Sequence, residues 1–228
     1  VPQIYKVRLS KIKIHKKMAL KIIKVGIPTA IQNTVISLSN VIMQSSVNVF
    51  GAFSMAGFGA FIKIDGFNIL PVMSLSMAIT TFSGQNYGAS KFERVKKGMW
   101  ITLIMSIIYT IITGTLLYKF APNVISLFTK ETKVIESGVL AAKFFCPFYF
   151  LLAIMHSLAG TVRGTGRTVP PMIILLVSLC AFRILAVKFI IPNYNTIENV
   201  YMLYPISWAI GTILIIIYTV KVDWMKHI

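Results

Sequence analysis

The chain has 228 residues, 56% of them hydrophobic and 13% charged, with a formal net charge of +17 at pH 7 and a mean hydropathy of +0.78. A soluble domain carries about 25% charged residues, so the composition excludes an ordinary soluble fold. It also leaves almost no chain for an appended catalytic domain.

Six apolar runs are each long enough to cross a bilayer core of about 30 Å, which takes roughly 20 helical residues. They fall near residues 26–50, 57–83, 95–118, 139–161, 170–191 and 201–220. An all-α, polytopic membrane fold with six transmembrane helices follows. Residues 1–24 read as a basic interfacial lead-in, residues 25–220 as the six-helix region and residues 221–228 as a tail. The charged N-terminus and long first run read against a cleavable signal peptide, and a chain beginning at Val1 reads as a fragment, a processed product or an edited start.

The positive charge is distributed by side. One side of the membrane carries the lead-in lysines, then Lys91, Arg94, Lys96 and Lys97, then Arg163 and Arg167, then Lys221 and Lys226. The other carries Lys119, Lys130 and Lys133, offset by Glu131 and Glu136. This is the positive-inside pattern. It places both termini in the cytoplasm of a multi-pass cell-membrane protein, and it makes the bilayer, not nucleic acid, the partner of the basic groups.

In chain order, the lead-in alternates lysines with apolar residues, as a segment lying on anionic headgroups would. The first span is unusually polar. At about 100° per residue, Asn33, Ser37, Asn40, Gln44 and Asn48 share an arc about 80° wide, opposite an apolar face. Amides in hydrocarbon lack partners, so this stripe is expected to line a water-filled cavity in preference to tying helices together. Pro28 is placed in the first helical turn, where its missing N–H costs little.

The second span holds Asp65 and Asn68 on one face, Lys63 nearly opposite, and Pro71, which removes a donor from the carbonyl of Phe67 and favours a kink near Asp65. The span closes on Gly84-Gln85-Asn86-Tyr87-Gly88-Ala89, read as a loop turning on its two glycines before a basic helix that contains Arg94. The third span is plain and lipid-like. The fourth has Lys143, Pro147, Tyr149 and His156 and runs into Arg163-Gly164-Thr165-Gly166, a tight turn that lacks phosphate-loop spacing.

The fifth span holds Arg183 and Lys188. Asp65 lies roughly 12 Å below the outer edge at about 1.5 Å per residue, and Arg183 and Lys143 lie at a similar depth. Buried charges are normally paired, so Asp65 is expected to pair with Arg183 or Lys143, either as a structural ion pair or as an ion-responsive latch. The last span carries no charge. Cys146 and Cys180 lack metal-ligand spacing and read as free buried thiols. No metal or other cofactor is expected.

Lys63-Ile64-Asp65, Pro71 and the Gly84–Ala89 segment with Arg94 resemble part of the C-terminal lobe of multidrug and toxic compound extrusion (MATE) transporters. Gly26-Ile27-Pro28 resembles that lobe's opening, and Arg163-Gly164-Thr165-Gly166 its loop after the fourth helix. The resemblance implies one lobe of a twelve-helix secondary antiporter. Such a lobe would export cationic amphipathic compounds in exchange for sodium ions or protons by alternating access, with an N-terminal lobe outside this chain.

One departure bears on coupling. Where a branch of the family carries acidic residues in the first and fourth helices of this lobe, this chain has Ile36 and Leu152. The coupling carboxylate is therefore expected in the other lobe, with Asp65 as the alternative within this one. Competing readings are a lipid or lipid-linked oligosaccharide flippase of similar architecture and an inactive half-transporter. An enzyme is not expected, since no nucleophile, acid–base pair or metal cluster lies at membrane depth.

Overall fold

The structure is a computed structural model, and it describes residues 13, 15–189, 191–193 and 196–224. Most of the predicted basic lead-in and the last residues of the tail lie outside the described residues. No strand is present among those described.

Among the described residues, eight α-helices in chain order account for the six predicted spans. These are α1 (Lys16–Asn48), α2 (Ala52–Gly88), α3 (Phe92–Ile125), α4 (Thr132–Phe145), α5 (Tyr149–Gly164), α6 (Val169–Leu176), α7 (Phe182–Phe189) and α8 (Ile197–Lys221). The 3₁₀ turn Cys146–Phe148 joins α4 to α5, and a π-helical turn, Val177–Ala181, joins α6 to α7. Each of these pairs makes one membrane-length rod.

Among the described residues, five rods are long and apolar enough to cross a membrane: α2, α3, the α4–α5 rod, the α6–α7 rod and α8. The first helix, α1, has 33 residues and the length to do so, but its amides and lysines lower its hydropathy. It also starts at Lys16, well before Pro28. Pro28 therefore sits in a helix interior and not in the first turn, a correction to the sequence reading.

The breaks within rods have local causes. Pro147 has no N–H to continue an α-helical ladder, and the backbone tightens into a 3₁₀ turn at that point. The link also packs against α3, where a Cβ added to Gly114 would meet the Cys146 carbonyl oxygen at 2.7 Å. In the π turn the wider ring leaves backbone groups to be met from outside, and Ser39 Oγ of α1 donates to the Leu179 carbonyl at 2.8 Å.

Helix α5 is the hub. It packs among α2, α3 and α8, and Met155 through Val162 are buried on every side, as expected of a helix with no solvent or lipid face. Its contact with α2 is a parallel ladder of small residues one turn apart. Ser76 Oγ donates to the His156 carbonyl at 2.8 Å, and Thr80 Oγ1 donates to the Gly160 carbonyl at 3.0 Å. One turn further on, a Cβ on Gly84 would lie 3.2 Å from the Gly164 carbonyl oxygen. Such close approach of small residues is how helices associate where lipid removes the hydrophobic drive. Helix α3 lies at the other extreme: Ile101, Ile104, Met105, Ile108, Ile111 and Ile112 are exposed, a surface that suits acyl chains.

The Gly84–Ala89 segment is not a loop. Helix α2 continues to Gly88, and the turn is made by Ser90, whose φ of 57° is the positive one there. Gly84 is a packing residue against α5. Gln85 and Gly88 are exposed, as is Arg94 in the first turn of α3. Asn86 is buried. Its Nδ2 donates to the Phe82 carbonyl at 2.8 Å, and its own carbonyl accepts from the Lys91 N–H at 2.8 Å, which closes the end of the helix. In the later turn, Gly166 adopts φ +90°, a conformation that glycine supplies without strain.

Candidate functional site

Helix α1 packs against α6, the π turn, α7, α2 and α8. Its remaining face borders an open cavity of about 770 Å³. All five residues of the predicted stripe, Asn33, Ser37, Asn40, Gln44 and Asn48, lie on this wall. Gln44 Nε2 donates to Asn48 Oδ1 at 3.2 Å, so the stripe is partly ordered along its own helix.

The lining from α2, α4 and α8 includes the aromatic side chains Phe58, Phe145, Tyr204 and Trp208. Phe145 meets Tyr204 at 4.4 Å and Trp208 at 5.5 Å between ring centroids. Amides and aromatic rings lining one cavity can hold the polar end and the ring system of one amphipathic compound together.

Two charged side chains reach the same cavity, Asp65 from α2 and Arg183 from α7. The structure corrects their pairing. Asp65 makes no ion pair with Arg183 or Lys143. The buried hydroxyl of Tyr149, the first residue of α5, donates to Asp65 Oδ1. Arg183 is 3% exposed; its Nε donates to Ser207 Oγ at 2.8 Å and its Nη1 to Asn40 Oδ1 at 3.1 Å. Its guanidinium also lies over the Tyr204 ring, 4.3 Å from the centroid.

Lys143 is exposed and off the cavity wall, and Lys63 is exposed too. Asn68 is also off the wall, where its backbone carbonyl accepts from the Tyr109 hydroxyl at 3.3 Å. His156 reaches the wall from α5. No group of three or more possible metal ligands occurs among the described residues.

Tyr149, Tyr204 and Ser207 are the members that sequence reasoning missed. A rule that pairs opposite charges passes over neutral hydroxyls and rings. Tyr149 was visible only as an aromatic that follows Pro147 at a depth near that of Asp65.

The Asp65–Tyr149 contact has a measurable weight. Tyr149→Phe leaves a buried carboxyl one donor short, a loss of about 1–3 kcal/mol. Thermal unfolding in detergent is expected to shift down by about 3–10 °C. Tyr109→Phe, which removes a longer bond to a backbone carbonyl, is expected to shift it much less.

A polytopic α-helical membrane protein with a polar and aromatic cavity open between its helices is the class these observations define. Comparison supplies the family. The MatE family model matches residues 28–187, and the chain belongs to the MATE family, whose members are transporters and not enzymes.

A probable multidrug resistance protein of Thermotoga maritima, NorM, is 33% identical over 174 residues, covering 76% of this chain and 37% of that protein. A probable multidrug resistance protein of Bacillus subtilis, YoeA, is 25% identical over 210 residues, covering 90% and 44%. The crystal structure of a MATE protein in complex with MaD3S superposes with a TM-score of 0.83 at 18% identity, covering 91% of this chain and 47% of that one. That likeness shows the fold. The chain thus spans less than half the length of these relatives.

Proposed function

We propose that this chain forms one lobe of a secondary active exporter of amphipathic compounds, working by alternating access with a second six-helix lobe that closes the cavity. The observation that carries the reading is the convergence of five polar α1 side chains on one cavity that four aromatic side chains also line. That arrangement suits a compound with a ring system and a polar or charged end. The relatives' names, which speak of multidrug resistance, support the same substrate breadth.

Cationic amphiphiles are the first class proposed, with sodium ions or protons as the exchanged ion. The protein acts in the cell membrane with both termini in the cytoplasm, following the lysine and arginine distribution. The coupling carboxylate is assigned to the partner lobe, because Ile36 and Leu152 carry none and the Asp65 carboxyl is engaged by Tyr149.

The test is made on the purified chain in liposomes loaded with a fluorescent amphipathic cation, under an imposed sodium or pH gradient. The expected result is dye binding without gradient-driven release. Gradient-driven release by this chain alone, abolished by Asp65→Asn, would contradict the one-lobe reading and make Asp65 the coupling group.

A further inference from the structure

The charge on the cavity wall is unevenly used. Asp65 is met by a protein donor, the Tyr149 hydroxyl. Arg183 is met by no carboxylate among the described residues, although it is almost wholly buried. Its hydrogen bonds engage Nε and Nη1, and the Nη2 amino group has no protein acceptor among those residues.

The fork is also held in place. Ser207 fixes one edge and Asn40 another, and the Tyr204 ring lies beneath the plane. The mount follows from the chain's local structure. Arg183 stands in the first turn of α7, directly after the π turn Val177–Ala181. A π turn adds a residue and so rotates the following helical face.

A buried cation normally has an anionic partner, because leaving it unpaired is costly. Here a hydroxyl, an amide and a ring only share the burden, and the free edge of the fork belongs to a residue on the cavity wall. A planar guanidinium with a free edge matches a carboxylate, sulfonate or phosphate.

We infer that Arg183 is an anion subsite, and that the cavity takes amphipathic compounds bearing an acidic group, zwitterions included, with the ring system lying against Phe145, Tyr204 and Trp208. This rests on the reading of the cavity as the place where substrate binds, and it adds a substrate class to the cationic one proposed above. The acidic group could belong to a free organic compound or to a lipid headgroup.

The test is equilibrium binding of two matched fluorescent probes to the purified protein in phosphatidylcholine nanodiscs. One is an aryl sulfonate and the other its uncharged sulfonamide. Wild-type protein is expected to prefer the sulfonate by about 10-fold, the order of one charge-assisted contact. Arg183→Gln is expected to remove that preference while leaving sulfonamide binding in place, and Arg183→Lys to retain part of it. Competition by phosphatidylglycerol added to the nanodisc would assign the acidic group to a lipid headgroup; its absence, with the preference intact, would assign it to the free compound.

Equal binding of the two probes by wild-type protein, a measurement that needs no variant, would overturn the subsite, as would an undiminished preference in Arg183→Gln. Failure of wild-type protein to bind either probe would overturn the cavity reading itself.

Discussion

Replacing Gly160 by leucine is expected to leave little or no folded protein. A Cβ at this position would meet the Ser76 carbonyl oxygen at 2.6 Å, Ser76 Oγ at 2.8 Å and Ile79 Cγ2 at 3.0 Å. The first of these is backbone and cannot rotate away, so α2 and α5 would have to part. Parting them also breaks the Ser76–His156 and Thr80–Gly160 hydrogen bonds, leaving Thr80 only its bond to the Ser76 carbonyl within α2.

The combined loss is expected to exceed about 4 kcal/mol, the range reserved for core disruption. Fluorescence-detected size exclusion is expected to show a collapsed monodisperse peak. Gly59→Ala is the control, since nothing lies within 4 Å of a Cβ there, and it is expected to behave as wild type. A Gly160→Leu protein that elutes and melts like wild type would mean that the α2–α5 ladder does not hold the bundle.

The second large effect concerns the cavity wall. Asn40→Leu with Gln44→Leu removes two amides from the α1 stripe and adds apolar surface of similar size. Neither side chain is part of the buried core, so insertion and folding are expected to survive. Asn40 also accepts the Arg183 Nη1 bond, so its loss frees the guanidinium from one of its two fixing groups. Binding of an amphipathic cation is expected to fall by about 10-fold or more, the order of two lost hydrogen bonds.

Much of the architecture was legible in the apolar runs, because the bilayer forces long helices wherever it is crossed. Hydropathy places the middle of a rod and not its end, however. It stops marking a helix at the headgroups, whereas backbone hydrogen bonding continues. For that reason α2 extends through Gly88 and α1 begins at Lys16, and the segment read as a glycine loop is helix with its turn at Ser90.

Within the cavity, the α1 stripe was legible because residues on one helix share a face by arithmetic alone. The companions of Asp65 and Arg183 were not. Apart from Asn40 of α1, which belongs to the stripe, they come from α5 and α8, and they are neutral. A search for opposite charge points to Arg183 for Asp65, whereas the protein meets each buried charge with hydroxyls, an amide and a ring. The π turn that precedes Arg183 carried no sequence signal that hydropathy or helical periodicity could register.

The measurement that tests the cavity most directly is equilibrium binding of a fluorescent amphipathic cation to wild-type protein and to Asn40→Leu/Gln44→Leu in nanodiscs, with both samples matched for thermal stability. The account predicts saturable binding to the wild type and a dissociation constant raised by about 10-fold or more in the variant. Equal affinity in two equally folded samples would contradict it and remove the α1 stripe from the binding site.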